Sequence, residues 1–218
     1  MENPLQSNRD YEADARSILR DAKLRTESIL LPVGTIGVSI LQGSTNMRDA
    51  TKKLMKSSGQ DDRLEKEINL FFEFIYFFMH WTLRLAIQLI DHSKLMLLQD
   101  FLLEIVPPAA IDTYFSHLSN DAKNDLIAEF VEKLDMSEVE YGSCSPDGLA
   151  LVLIKKLMGI LVNEHINVPK LFSISILAIR EFGEMQLGKS IDEFGQIKMS
   201  EQDMRRICEH LNEFRMSS

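Results

Sequence analysis

Apolar residues recur at helical spacing along nearly the whole chain, and the prolines stand where helices begin or break, so the pattern predicts an all-α protein. Tyr11, Ala15, Ile18, Ala22 and Ile29 give a first helix over about residues 9–30 one apolar face, and Pro32 is expected to end or kink it. Residues 33–44 point two ways: Gly34, Gly37 and Gly43 weaken a helix, while their Val, Ile and Thr neighbours suit a strand. A lone strand among helices has no pairing partner. A second helix over about residues 34–56 is therefore expected, with glycines that admit a close neighbour and Gly59 as its end.

A third helix is predicted over about residues 62–90 and a fourth over 93–106, where Pro107-Pro108 force a stop before a short helix through Phe115. Ser119 caps the next helix, whose inward stripe is Leu126, Ile127, Phe130, Val131 and Leu134. Residues 137–144, with Gly142, read as a turn and as the best internal boundary. Ser145-Pro146-Asp147 is a helix start, and residues 149–162 beyond it are apolar except for Lys155 and Lys156. That segment is expected in the middle of the fold with little solvent contact, and about fourteen residues are too few to span a bilayer.

Pro169 opens another helix, with Leu171, Phe172, Ile174, Leu177, Ala178 and Phe182 inward and Gly188 as cap. Ser200 with Asp203 three residues on resembles a capping box, and Met204, Ile207, Leu211 and Phe214 form the seam of the last helix. The expected architecture is a single all-α domain over residues 1–218, a multi-helix bundle of about eight or nine helices around a central hydrophobic helix, with a sub-boundary near residues 137–145. No repeat of fixed period is visible.

The central helix is the segment 68–90, which holds five of the twelve Phe residues, the only Trp and a Tyr. At 100° per residue, Asp62, Lys66, Asn69, Glu73, His80, Arg84 and Asp91 fall in one stripe about 60° wide, and the rest of the circumference is apolar. Such a helix is buried on nearly every side. Its length permits a membrane span, but Glu73, His80 and Arg84 lie within it, and a charge near the bilayer centre costs about 2.5 to 3.5 kcal/mol. No membrane association is expected.

The polar stripe has two readings. In one it is the thin line where the helix meets water, since such charges are almost never buried unpaired. In the other, Glu73, His80 and Arg84 line an internal ligand pocket, with Arg84 gripping a carboxylate or phosphate and the Glu73/His80 pair tuned by burial. Glu73 and His80 are about 10.5 Å apart along a helix axis and cannot alone hold one ion, and no Glu-x-x-His or His-x-x-x-His occurs, so no metal and no cofactor is expected. Cys208 and His210 lie on different helix faces, and Gly34-Thr35-Ile36-Gly37 lacks the strand and the Lys-Ser/Thr of a phosphate loop. No catalytic residue is assigned.

Composition sharpens this picture. The chain has 218 residues, 45% hydrophobic and 26% charged, enough to bury a core without staples. Its formal charge is −9, and residues 1–60 hold 9 Lys or Arg against 7 Asp or Glu, so the acidity belongs to the later part. A polyanion is an unsuitable partner, and nucleic acid is not expected. Cys144 and Cys208 are in no disulfide or zinc spacing, and the polar N-terminus has no signal-peptide pattern, so a cytoplasmic location is expected.

A helical fold without an evident catalytic set works most often by binding. The expected function is a non-enzymatic cytosolic interaction or regulatory module, a homodimer or the partner of another protein. Val38, Ile40 and Leu41 of the second helix are its candidate surface. The alternative is a small-ligand-binding protein or enzyme that uses the Glu73, His80 and Arg84 stripe.

Overall fold

In the computed structural model of the chain, the described residues are 30–55, 60–145, 148–162 and 167–200, with 202–203, 205–207 and 209 beyond them. Among these the architecture is all-α, 88% helical with eight helices and no strand. Residues 9–29 of the first expected helix, the Gly59 end, the residues 204, 211 and 214 of the last seam, and Cys208 and His210 lie outside the described residues.

Helix α1, residues 30–52, settles the ambiguous stretch as helix. Val33, Ile36, Ile40 and Met47 repeat at three, four and seven residues and are buried. The hydroxyls that otherwise favour turns are absorbed locally: Thr35, Ser44, Thr45 and Thr51 each donate to the carbonyl four residues back. Pro32, expected to end a helix, sits within helical backbone, because its fixed φ is already close to the helical value. Gly43 is the close approach that the sequence anticipated: a Cβ there would stand 2.8 Å from Phe182 Cζ, with other ring atoms nearer.

Helix α2, Gln60–Leu89, is the hub. Leu70, Phe71, Phe74, Ile75, Phe77, Phe78 and Trp81 are all buried. It packs against helix α3 (His92–Phe115), α4 (Asn120–Gly142), α5 (Leu149–Ile160), the π-helical segment Ala178–Leu187 and α7 (Gly188–Gln196). Aromatic contacts join these layers, among them Phe72 edge-on to Phe130 at 5.4 Å, Phe77 to Tyr141 at 5.5 Å and Phe78 to Phe182 at 5.3 Å. Arg63–Leu89 is long and apolar enough to cross a membrane, yet 72% of its most apolar window is buried inside the fold, the condition of a core helix.

Several expected boundaries moved. Helix α3 runs unbroken through Pro107 and Pro108. The two prolines withdraw donors from the carbonyls of Leu103 and Glu104, but Leu102, Val106, Ala110 and Ile111 form one buried face that packing holds together across them. Helix α4, capped at Ser119, continues through the expected turn at 137–144 to Gly142. Its inward stripe extends beyond Phe130 and Leu134 to Ser137 and Tyr141, so tertiary burial overrides the polar look of that segment.

Helix α5 has Gly148 as its N-cap without a side-chain cap, and not the expected Ser145; Pro146 and Asp147 lie outside the described residues. One face of α5 is exposed at Leu151 and Met158, and Val162 just past its end is exposed too, where little solvent contact was expected. Helix α6, Val168–Leu177, is capped by Asn167, but its Phe172 and Leu177 point outward. Gly188 is no cap. The backbone passes through a π-helical turn, whose wider spacing brings Ala178, Phe182 and Leu187 inward together, and continues as α7 to Gln196. The Ser200/Asp203 box is formed: Asp203 N–H donates to Ser200 Oγ at 3.2 Å, and Ser200 N–H to Asp203 Oδ2 at 2.8 Å.

Candidate functional site

The polar stripe of α2 is covered by the C-terminal half of α4 and by one side chain of α5. Glu73 and His80 are buried, at 9% and 6% exposure, and Arg84 is half-buried, so the middle of the stripe is not the solvated edge that one reading expected, although Asn69 and Asp91 towards its ends are exposed. The reason lies in the added turns of α4, which carry Ser137, Glu138 and Tyr141 onto α2.

Tyr141 is the centre of the arrangement. Its hydroxyl donates to Glu73 Oε1 at 2.6 Å, while its ring stacks on the His80 imidazole with centroids 5.7 Å apart. Lys156 of α5 completes the Glu73 end: its ammonium lies 3.7 Å from Glu73 Oε1, 2.6 Å from Glu140 Oε2 and 5.5 Å from the centre of the Tyr141 ring. It also donates to Ser137 Oγ at 3.4 Å. At the other end His80 Nδ1 is 2.7 Å from Glu138 Oε2. Arg84 stands further along, its Nη1 donating at 3.2 Å to the carbonyl of Cys144, just past the end of α4, where helix carbonyls lack partners and a cation is favourable.

The three expected residues therefore share one helix face but not one pocket. Tyr141 separates Glu73 from His80, and Arg84 serves the α4 terminus. Burial raises the Glu73 carboxyl above its ordinary pKa, against the lowering effect of the Tyr141 hydrogen bond and of Lys156. The Tyr141 phenol is held well above its usual value by burial and by the Glu73 charge, so it stays a donor. Such a phenol does not serve as an acid near neutrality.

Two atoms of this arrangement lack the partners that burial demands. Among the described residues His80 Nε2 and Glu138 Oε1 are buried without a hydrogen bond. Glu138 also borders a half-open groove of about 410 Å³ between α2, α3 and α4. No group of three His, Cys, Asp or Glu side chains among the described residues is placed to hold a metal ion. Cys144 is a free thiol that donates to the Tyr141 carbonyl at 3.0 Å.

The candidate surface on α1 divides differently from expectation. Ile40 is buried, Leu41 is half-buried, and only Val38 points outward. Sequence reasoning missed Tyr141, Glu138, Ser137 and Glu140 because their segment read as a turn. Lys156 carried a usable signal, a charge in an otherwise apolar helix. Compared with known proteins, the chain matches no family model, no curated protein sequence and no solved structure.

Proposed function

We propose that the chain is a non-enzymatic helical interaction or regulatory module of the cytosol that associates as a homodimer. One observation carries the reading: α5 turns an apolar face outward, with Leu151 63% exposed and Met158, seven residues on, exposed as well, and Val162 just past the helix end is also exposed. On α6, Val168 and Phe172 are exposed in the same way. Helix α5 holds no acidic residue, whereas the chain carries 33. A two-fold axis through this face would bury apolar surface without setting carboxylates against each other, and the long stem of Lys155 lets its charge reach the rim.

Light scattering across a dilution series tests the reading, with the double variant Leu151→Glu/Met158→Glu as control. A dimer that the double variant converts to a monomer of unchanged helicity is the expected result. A wild-type monomer at every concentration rejects it.

A second reading, a small-ligand protein or enzyme built on Glu73, His80 and Arg84, is favoured by His80 Nε2 and Glu138 Oε1, which have no hydrogen-bond partner among the described residues. Native mass spectrometry separates the two. A bound mass above the 25.0 kDa chain, lost in His80→Ala, favours the second reading; bare chain masses favour the first.

A further inference from the structure

The groove between α2, α3 and α4 is a surface distinct from the exposed face of α5. Leu83 and Ile87 form its α2 wall, Leu95 and Leu103 its α3 wall, and Asp135 and Glu138 its α4 rim. Residues 79 to 87 on α2 and 95 to 103 on α3 each cover about 12 Å of helix, a little over two turns. Apolar side chains line most of it, yet they are not sealed: Ile87 is 66% exposed, and Met96, on the same α3 stripe as Gln99 and Leu103, is also exposed.

The charge of the groove is one-sided. Among the described residues, its ionisable lining groups are the two carboxylates of α4. His80 Nδ1 holds Glu138 by one oxygen, at 2.7 Å, and leaves the other oxygen buried without a partner among the described residues. Glu138 is 34% exposed and Asp135 is exposed, so the α4 rim offers two carboxylates to a cation from outside. A second copy of this chain is a poor source of that cation, since the chain carries −9 and a dimer there would add negative charge to a carboxylate pair. Its two helical walls, each a little over two turns long, leave Ile87 and Met96 exposed, a form suited to an amphipathic helix laid against them.

We infer that this groove is the docking site for an amphipathic helix of a basic partner protein, whose apolar residues at i, i+4 and i+7 fill the space between Leu83, Ile87, Leu95 and Leu103 and whose Lys or Arg pairs with Glu138 beside Asp135. His80 acts as a positioning residue that holds one oxygen of the Glu138 carboxylate at the contact between α2 and α4.

The test is a selection of random helical peptides of about 18 residues, displayed on phage, against the full chain, followed by anisotropy titration of the synthesised consensus. Enriched peptides are expected to combine the apolar stripe with a Lys or Arg at one fixed spacing from it. Ile87→Glu, a change at an exposed position that leaves folding intact, is expected to abolish binding. Glu138→Gln is expected to weaken the basic consensus about 10-fold and to leave a version with Gln in place of the basic residue unchanged. Leu151→Glu/Met158→Glu leaves the groove untouched and is expected to bind normally, so loss of the dimer and loss of docking are read separately. Absence of enriched peptides, enrichment without a basic residue, or binding indifferent to Ile87→Glu overturns the assignment. So does a consensus peptide that dissociates the wild-type dimer, which would make the groove a contact between copies.

Discussion

Tyr141 of α4 donates a 2.6 Å hydrogen bond to Glu73 of α2, and both groups are buried where the two helices cross. The bond joins residues 68 positions apart and satisfies a carboxylate that burial would otherwise leave costly. Tyr141→Phe keeps the ring against Phe77 and His80 but withdraws the donor. The variant is expected to lose about 1 to 3 kcal/mol in urea denaturation with an unchanged m value. In the background of Glu73→Gln the same change is expected to cost less, because the acceptor is then uncharged. Equal costs in both backgrounds would show that the two groups are not coupled.

The raised Glu73 pKa sets a direction for stability against pH. Burial lifts the folded-state carboxyl above its ordinary 4.5, so between that value and the folded pKa the folded protein holds a proton that the unfolded chain has released. The unfolding free energy contributed by this group is full below pH 4.5 and declines as pH rises through the folded pKa. Glu73→Gln cannot release that proton. The stability of wild type minus that of Glu73→Gln, measured by urea denaturation from about pH 4 to 8, is therefore expected to fall as pH increases. A flat or rising difference would contradict the burial of this carboxylate.

Much of the core was legible because aliphatic and aromatic periodicity reports directly on burial. The predicted bounds of α2 were within two residues at its start and one at its end, and its aromatic residues are where the pattern put them. The Ser119 cap and the Ser200/Asp203 box were visible as short-range chemistry. The site was legible only by half. One helix gives the angle at which Glu73, His80 and Arg84 point, but the groups that cover them lie 58 to 83 positions later, on α4 and α5. Ser137 and Tyr141 continue the buried stripe of α4 with residues that also suit turns, so the pattern there spoke for solvent. The π-helical segment evaded a search tuned to 3.6 residues per turn for the same reason that it works: it changes the period.

Gly43 and Gly34 lie on the same helix and predict opposite effects of one added methyl. At Gly34 nothing stands within 4 Å of an added Cβ, so Gly34→Ala is expected to stabilise by up to about 1 kcal/mol through helix propensity. At Gly43 the added carbon would overlap the Phe182 ring, itself buried against Phe78. Overpacking costs typically about 1 to 3 kcal/mol, which exceeds the propensity gain, so Gly43→Ala is expected to destabilise. Phe182→Leu should shrink that penalty in the double variant if the ring is its source. Thermal unfolding of wild type and the four variants checks the set.

Phe78 and Trp81 test the hub by contrast. Phe78 is fully buried among Phe74, Phe77 and Phe182, so Phe78→Ala leaves a cavity that these rings cannot fill. It is expected to cost about 3 to 5 kcal/mol. Trp81 stacks on Phe77 at 6.5 Å, but its indole N–H is buried without a hydrogen-bond partner among the described residues. Trp81→Phe keeps an aromatic ring and removes that unsatisfied donor, so the smaller ring and the lost polar penalty offset each other. The net change is expected within about 1 kcal/mol of zero. Trp81 is the only tryptophan, so denaturation is followed by circular dichroism and not by its fluorescence. A loss from Trp81→Phe as large as that from Phe78→Ala would mean that the indole N–H is bonded, and that the Phe77 face of α2 is held by a polar contact as well as by packing.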